Sequence, residues 1–278
     1  MPSKPLRIAT INTNGVRAAF RRGMGAWLDT RDVDILAIQE VRASTEDLES
    51  LLGPQWNILH DPATAKGRAG VALVSRGKAS IHRVELGAED FDSAGRWLEA
   101  DYDVDGTVVT VVSTYVPSGE AGTPKQVEKY RFLDAMTERL RQLRKHNELA
   151  VVMGDLNVGH RTLDIRNWKG NVKRAGFLPE ERAYFDGFFG AEGDPHYNDG
   201  AGLGWVDIGR KHAGEVDGPY TWWSWRGKAF DNDTGWRIDY QMATGELAAK
   251  VLDYAVDRAE AYDRRWSDHT PVVVDYAI

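Results

Sequence analysis

The strongest constraint on the fold of this chain is a set of short apolar runs that recur from end to end. They are LRIATI (6–11), DILAIQ (34–39), GVALVS (70–75), TVVTVVSTYV (107–116), LAVVMGD (149–155) and PVVVDY (271–276). Several of these runs are near-continuous and rich in β-branched residues, which is the pattern of strands buried on both faces. The chain must therefore supply further layers that cover both sides of its sheets.

Helical segments lie between some of the strands, and the clearest begins at TPKQ (123–126). Thr123 is the predicted N-cap, Pro124 takes the first helical position, and Gln126 completes a capping box. The apolar residues that follow at helical spacing are Val127, Tyr130, Leu133, Met136, Leu140 and Leu143. This periodicity predicts a long amphipathic helix.

The Asp105–Gly106 pair separates WLEADYDV from TVVTVVS and predicts a tight hairpin, so part of the strand pairing is antiparallel. Buried sheets of mixed pairing with helices between the strands predict a layered α/β sandwich. No linker rich in proline and serine divides the chain, so we expect one domain over residues 1–278. The segment 186–204 is rich in glycine and aspartate and is predicted to be a surface loop.

Composition limits the chemistry more than it limits the fold. The 278 residues are 42% hydrophobic and 28% charged, as in ordinary globular proteins. The absence of cysteine excludes disulfides, thiol catalysis and cysteine-ligated metals, so a metal must bind through oxygen or imidazole ligands. The net charge of −7 is mild evidence against a nucleic-acid partner. We interpret two basic clusters, at 17–31 and 139–145, as solvated helix faces.

The sequence shows no sign of a membrane association. No apolar run is long enough to span a bilayer. The N-terminal MPSKPLRIAT lacks the apolar core and cleavage site of a secretory signal. We therefore expect a cytoplasmic protein of bacterial type that has no membrane partner.

Polar residues stand at the ends of the apolar runs, where the ligand sites of layered α/β folds gather. The residues that follow or close a run are Asn12, Asn14, Gln39, Glu40, Tyr115, Asp155 and Asn157. GWRIDY (235–240) is predicted to be a further short strand that carries Asp239, and the last strand is entered through Asp268 and His269. A single acidic residue at a strand end is usually a turn or a cap. Six strand ends with such residues predict a common site.

Hydrolysis of a phosphodiester without cysteine requires a hard divalent cation that neutralises charge on the phosphate. Glu40 and Asn12 are the right types of ligand for Mg2+. Asp155, Asn157 and Asp268 are possible additional ligands.

The same set of residues contains candidates for proton transfer. The proton of the attacking water can go to His269 or to Asp155, and the residue types leave this choice open. Asp239 suits the role of a partner that fixes the imidazole and favours its cationic form. The amide of Asn157 and the hydroxyl of Tyr115 suit the role of donors to the developing oxyanion.

Seven motifs together resemble one family of nucleases. They are ATINTNGVRA, LAIQEVR, GVALVSR, STYVPSG, MGDLNVGHRTLDI, YTWWSWRGKAFDNDTGWRIDY and SDHTPVVVDY. In this order they resemble the exonuclease III family of apurinic/apyrimidinic endonucleases, within the endonuclease/exonuclease/phosphatase superfamily. The resemblance implies a four-layer α/β sandwich, in which two mixed β-sheets pack face to face and are flanked by helices.

The resemblance also implies an activity. It implies a Mg2+-dependent DNA-repair nuclease, with Mn2+ as an alternative cofactor, that hydrolyses the phosphodiester 5′ to abasic sites in duplex DNA. It further implies 3′–5′ exonuclease and 3′-phosphodiesterase or phosphatase activity, as in exodeoxyribonuclease III. The implied partner is double-stranded DNA with abasic sites or damaged 3′ ends, and the implied assembly is a monomer.

The resemblance implies a role for each matching residue. It places Asn12 and Glu40 at the metal, Tyr115 against the phosphate, Asp155 at the attacking water, Asn157 at the transition state, Asp239 and His269 as a pair, and Asp268 beside the metal or that pair. Trp222 and Trp236 match side chains that line the family's pocket for a base-free sugar. Arg226 and Lys228 lie in RGKAFD, which matches a DNA-contacting loop.

Three residues depart from the family pattern, and two other functions stay open. Arg42 in QEVR replaces lysine, Ser118 in YVPSG replaces asparagine or glutamine, and Trp168 in RNWKGN replaces proline. The first alternative is a superfamily relative that acts on a lipid or inositol phosphate, and the aromatic loop before GWRIDY speaks against it. The second is a non-catalytic DNA-binding module, and the complete set of polar strand-end residues speaks against it.

Overall fold

The computed structural model describes residues 4–64, 67–92, 94–192, 195–196 and 200–278. Its strands are β1 (Leu6–Asn12), β2 (Ile35–Gln39), β3 (Asn57–Asp61), β4 (Val71–Ser75), β5 (Ala79–Arg83), β6 (Trp97–Val104), β7 (Thr107–Tyr115), β8 (Ala150–Asp155), β9 (Pro195–His196), β10 (Gly200–Ala201), β11 (Val206–Asp207), β12 (Asp239–Ala243), β13 (Val251–Val256) and β14 (Val272–Tyr276). Its helices are α1 (Val16–Arg21), α2 (Met24–Arg31), α3 (Thr45–Leu52), α4 (Pro124–His146), α5 (Pro179–Phe189), α6 (Ile208–Ala213) and α7 (Gly245–Ala248). Within the described ranges, none of the helices is long and apolar enough to cross a bilayer.

Two six-stranded sheets form the centre of the protein, and each has a parallel pair in its middle. The first sheet has the order β13-β14-β1-β2-β4-β3, in which β1 and β2 are parallel. The second has the order β11-β12-β8-β7-β6-β5, in which β7 and β8 are parallel. The short strands β9 and β10 pair with each other as a separate antiparallel ribbon.

The two sheets pack face to face and are covered by helices on their outer faces. Between them lies an apolar layer to which both sheets contribute, including Ile8 from the first and Met153 from the second. On the outer face of the first sheet, α1, α2 and α3 bury residues such as Leu48. On the outer face of the second, α4 and α5 bury Phe132 and Phe185. The predicted four-layer α/β sandwich is therefore confirmed.

The predicted hairpin at Asp105–Gly106 is confirmed. β6 and β7 pair antiparallel up to Val104 and Thr107, which leaves a two-residue turn. Asp105 and Gly106 both have a positive φ, of 52° and 84°, as a two-residue turn of this hand requires.

Helix α4 starts where predicted, but the prediction of a capping box at its start is wrong. Thr123 is the N-cap and Pro124 the first helical residue. The Thr123 hydroxyl donates to the carbonyl of Glu120 (2.9 Å) instead of receiving a helical N–H. The Gln126 amide donates to Glu181 Oε1 on α5 (2.9 Å). The Gln126 side chain, which the predicted capping box requires, is therefore used in the contact between α4 and α5.

The buried face of α4 is also rotated from the predicted one. Val127, predicted to face the core, is 59% exposed, whereas Gln126 and Lys129 are buried. Leu133, Met136, Leu140 and Leu143 lie in the core as predicted, and Tyr130 packs against it. Apolar spacing alone missed two polar residues whose partners lie on other elements.

The predicted surface loop at 186–204 is wrong in its first part. Helix α5 continues to Phe189, and Phe188 is buried against the second sheet. Leu203 belongs to the same apolar cluster. Residues 193–194 and 197–199 of this segment lie outside the described residues.

Candidate active site

The topology brings the functional strand ends to one edge of the sandwich. β1 ends at Asn12 and β8 ends at Asp155. β12 runs antiparallel to β8 with Asp239 opposite Asp155, so β12 starts at this edge. β14 runs antiparallel to β1, so the segment before it, with His269, arrives there too. A hydrogen bond from Asn12 Nδ2 to Asp155 Oδ2 (2.8 Å) joins the two sheets at the site.

A histidine between two carboxylates forms the centre of the site. His269 Nδ1 donates to Asp239 Oδ2 at 2.8 Å. On the other side of the ring, His269 Nε2 lies 3.7 Å from Asp155 Oδ2. All three side chains are buried. The predicted Asp239–His269 contact is therefore present, and Asp155 extends it into a chain of three groups.

Burial and charge act together on the pKa values of this chain. Burial alone would lower the pKa of His269, but the charges of Asp239 and Asp155 and the bond to Asp239 outweigh burial and raise it. Burial raises the pKa of Asp155, the His269 charge opposes this rise, and the charges of Asp239 and Glu40 add to it. At neutral pH the imidazole is therefore cationic, and Asp155 is an unusually basic carboxylate.

Asn12 connects the first sheet to both candidate metal carboxylates. Its Nδ2 donates to Glu40 Oε1 (2.9 Å) as well as to Asp155 Oδ2. Its Oδ1 accepts the backbone N–H of Asn14 (2.9 Å). In this arrangement the amide of Asn12 holds two carboxylates side by side.

Glu40 combines a strained backbone with a buried carboxylate that is paired with Arg42. Its φ of 50° is left-handed, a conformation that costs a residue of this type about 1–2 kcal/mol. Its carbonyl is held by the N–H of Gly15 (2.9 Å). Its Oε2 is buried, and the guanidinium of Arg42 contacts it. A strained backbone at a buried carboxylate is typical of a binding position.

Two predicted donors lie beside these carboxylates. Burial, followed by the charges of Glu40 and Asp155, raises the pKa of Tyr115 well above its usual range, so its hydroxyl keeps its proton. Asn157 has a left-handed φ of 50°. Its Nδ2 donates to the carbonyl of Val116 (2.9 Å) and to Asp155 Oδ2 (3.2 Å).

Asp268 lies between Asn14 and the aromatic residues. It accepts hydrogen bonds from Asn14 Nδ2 (3.0 Å) and from Trp222 Nε1 (3.2 Å). Asn14 in turn accepts from Arg42 Nη1 at 2.8 Å. Both oxygens of Asp268 are thus engaged, and it orients Trp222.

Trp222 and Trp236 form one half-buried aromatic wall. Their rings meet edge to face at 6.0 Å and 81°. Backbone bridges join Trp236 to Trp222 and Trp222 to His269, which fixes the wall beside that histidine. A Cβ on Gly176, whose φ is 90°, would lie 2.8 Å from Trp236 Cζ3. The absence of a side chain at Gly176 therefore sets the position of the Trp236 ring.

Arg226 and Lys228 are exposed on the loop between Trp222 and Trp236. Neither of them forms an ion pair with another described residue. The structure therefore places two free positive charges on the aromatic side of the site.

Arg17, Arg21 and Arg22 of the 17–31 cluster are exposed, as expected of a solvated helix face, and Arg17 also lines a surface groove. A cavity of about 620 Å³ is lined by Arg17, Arg42 and Arg68 and by the start of α3. The motif GVRA already contained Arg17, but its basic neighbours come from separate loops. Only the fold shows that the three arginines share one groove.

Sequence reasoning also missed the partners of Arg237. GWRIDY was predicted to be a strand, but β12 begins only at Asp239. Arg237 is completely buried and donates to Asp164 Oδ1 (2.7 Å) and to both oxygens of Asp207 (2.9 and 2.7 Å). The sequence held one signal of this burial, because Arg237 lies two residues before Asp239 within an apolar segment. The ion cluster anchors the turn that carries Trp236.

Comparisons with known proteins agree with this geometry. The model of the Endonuclease/Exonuclease/phosphatase family matches residues 9–269. An exodeoxyribonuclease of Bacillus subtilis is 28% identical over 268 residues, which cover 96% of this chain and 98% of that protein. An AP endonuclease from Archaeoglobus fulgidus is 25% identical with a TM-score of 0.79, over 98% of this chain and 100% of that one. A 3′ phosphatase from Neisseria bound to product DNA hairpin is 25% identical with a TM-score of 0.81, over 98% of this chain and 99% of that one. The chain thus belongs to the endonuclease/exonuclease/phosphatase family and is a hydrolytic nuclease of the exonuclease III type.

Proposed function

We propose that this protein is a Mg2+-dependent DNA-repair nuclease that hydrolyses the phosphodiester 5′ to abasic sites in duplex DNA. The observation that carries the proposal is the buried chain Asp239–His269–Asp155 beside the aromatic wall of Trp222 and Trp236. The names of the related exodeoxyribonuclease and 3′ phosphatase support additional 3′–5′ exonuclease and 3′-phosphodiesterase or phosphatase activity.

Glu40 is the residue that best fits a hard divalent cation. Its carboxylate is buried directly after β2 and is paired with the guanidinium of Arg42, and Asn12 holds Asp155 next to it. Asp155, Asp239 and His269 also have ligand atoms within 4.8 Å of one another, but a cationic imidazole already neutralises that cluster. We therefore place Mg2+, with Mn2+ as an alternative, at Glu40, which leaves Asp155 free to accept a proton. When bound, the cation neutralises phosphate charge and polarises the scissile bond.

The charges of the buried chain favour one of the two open assignments for the base. The raised pKa of Asp155 makes this carboxylate a better acceptor for the proton of the attacking water. The raised pKa of His269 leaves no free lone pair on the ring at neutral pH. We assign the base to Asp155 and the stabilisation of phosphate charge to His269, with Asp239 as the partner that keeps the ring protonated.

Hydrogen-bond donors complete the site. Tyr115 keeps its proton, so its hydroxyl donates to a phosphate oxygen. The Asn157 amide lies next to Asp155, to which its Nδ2 donates at 3.2 Å. We assign both to the oxyanion of the transition state, where removal of one such donor costs about 10²–10³ in rate. Asp268 keeps Trp222 in place instead of binding the metal.

Two sets of basic residues and the aromatic wall together form the surface that we propose for DNA. Arg17, Arg42 and Arg68 line one groove together with Glu46. Arg17 and Arg42 are paired with Asp47 and Glu40, so Arg68 is the arginine of this groove that we assign to a DNA phosphate. Arg226 and Lys228 contact the backbone on the other side. The aromatic wall excludes a normal nucleotide by bulk and admits a base-free sugar. Since one chain supplies every part, we propose a monomer with one catalytic domain over residues 1–278.

A cleavage assay on one labelled duplex tests the proposal. The duplex contains an abasic analogue, a 3′-phosphate end and a recessed 3′ end, and is incubated with Mg2+ or with EDTA. We expect Mg2+-dependent incision 5′ to the abasic site together with trimming of both 3′ ends. Incision that survives EDTA refutes the metal assignment. Turnover of inositol or lipid phosphates without DNA cleavage identifies the phosphatase alternative, and binding without any turnover identifies the non-catalytic one.

A further inference from the structure

A lysine that the proposed chemistry does not use lies directly behind the site. Lys129, on α4, is completely buried. Its Nζ contacts Glu181 Oε1 (2.7 Å) and donates to the carbonyls of Asn157 (2.9 Å) and Ser118 (3.2 Å). One ammonium therefore joins two helices to two loops.

Stability does not explain a lysine at this position. Burial of an ammonium costs several kcal/mol, and a buried ion pair is often no more stable than apolar side chains of similar volume. Burial lowers the pKa of Lys129, and the charge of Glu181 opposes this change. A methionine of similar length would fill the same space but would leave the carbonyls of Ser118 and Asn157 without their donor.

Both carbonyls belong to loops that carry predicted catalytic groups. Ser118 lies in the segment after β7, and Asn157 lies two residues after Asp155 at the end of β8. The left-handed backbone of Asn157 turns its carbonyl inward to Lys129. The same conformation lets its N–H donate to Asp155 Oδ1 (2.9 Å) while Nδ2 reaches Val116 and Asp155.

We propose that Lys129 is a positioning residue for the transition-state donor Asn157. Its ammonium holds the Asn157 carbonyl and ties it to the loop after β7, so that the Asn157 amide stays beside Asp155. Lys129 itself touches neither the substrate nor the reacting atoms. This inference rests on the proposed function, in which Asn157 stabilises the phosphate oxyanion.

The mechanism sets an upper limit on the effect. If Lys129 acts through Asn157, its loss cannot cost more than loss of the Asn157 amide, which is about 10²–10³ in kcat. Substrate affinity depends mainly on the arginine groove and the exposed loops. The loss should therefore appear in kcat, with KM little changed.

A double-mutant cycle tests this coupling. The perturbation is Lys129→Met with Glu181→Gln, which avoids an unpaired buried carboxylate, and Glu181→Gln alone is the control that keeps the lysine. In the wild-type background, we expect Lys129→Met with Glu181→Gln to lower kcat on an abasic duplex by about 10–100-fold. In the Asn157→Ala background, we expect the same two substitutions to lower kcat by less than about 3-fold. Equal factors in the two backgrounds refute the proposal, because a purely structural defect would act on both.

A second measurement does not depend on cleavage. The side-chain amide of Asn157 and its backbone N–H are followed by NMR and hydrogen exchange in the wild type and in the variant pair. We expect both signals to move and the backbone N–H to lose protection when Lys129 is methionine. Unchanged signals refute the positioning role. Changed signals in a protein that cleaves no abasic DNA support that role and refute the proposed function.

Discussion

Replacement of Arg237 by methionine should destabilise the fold more than any exposed charge change. Arg237 is completely buried and makes three hydrogen bonds of 2.7, 2.9 and 2.7 Å to Asp164 and Asp207. Asp164 keeps a second cation, because Arg210 Nη2 donates to it at 2.5 Å. Asp207 has no other cation among its described partners and accepts only the backbone N–H of Arg210. The substitution therefore leaves one carboxylate buried without a counter-charge.

The expected cost follows from that unpaired charge. Removal of one partner of a buried pair costs about 3–5 kcal/mol, a large share of the about 5–15 kcal/mol that stabilises a typical domain. Removing the charge of the unpaired carboxylate with Asp207→Asn in the same chain should recover part of the lost free energy of unfolding. Because Arg237 lies between Trp236 and β12, abasic incision should also fall under conditions where the variant is folded.

Urea denaturation measures this loss. We expect a lower midpoint with an unchanged slope for Arg237→Met. The matched control is Arg161→Met, since Arg161 makes an equally close two-fold contact with Glu215 (2.6 and 2.8 Å) but at an exposed position. Exposed pairs contribute about 0–1 kcal/mol. A loss for Arg237→Met no greater than that of the control would refute the assignment of this cluster as the anchor of the Trp236 turn.

Four further predictions concern the site. Glu40→Gln should weaken Mn2+ binding measured by calorimetry and abolish most incision, and unchanged affinity would move the metal elsewhere. Asp239→Asn and His269→Ala should each lower kcat by about 10²–10⁴-fold, and the double variant should be little worse than either, because the two act as one unit; additive losses would contradict the pair. Gly176→Ala should push Trp236 aside and reduce abasic incision relative to 3′-end trimming, as should Trp236→Ala, whereas Gly170→Ala, with open space around it, should leave the ratio unchanged. Burial would raise the pKa of Asp164, but the charge of Arg237 outweighs burial and lowers this pKa from 3.8 to about 2. The charged carboxylate should therefore contribute about 2 kcal/mol to the free energy of unfolding above pH 4, and this contribution should be lost as the pH falls through 2. A free energy of unfolding that does not fall in this window would contradict the charged state of the cluster.

Local sequence patterns predicted the layers of this fold because burial acts on each strand separately. The continuous apolar runs required sheets covered on both sides, and the two-residue turn at Asp105–Gly106 follows from backbone preference alone. The candidate site was found in the same way, since polar residues at the ends of buried strands gather at one edge. The motif resemblance then attached expected roles to those residues, and the structure brings Asp155, Asp239 and His269 into one buried chain.

Only the packing of elements distant in sequence decided the contacts that define the site. Asn12 and Asp155 are 143 residues apart, and the hydrogen bond between them exists because two sheets meet at that edge. The same holds for Lys129, which helical spacing left unassigned because its partners lie on α5 and on two loops. Arg17 is a helix-surface charge as the sequence indicated, but only the fold places it in one groove with Arg42 and Arg68. A sequence pattern reports which residues prefer burial, whereas the charge and hydrogen-bond partners that give a residue its chemistry depend on distances that the assembled layers alone determine.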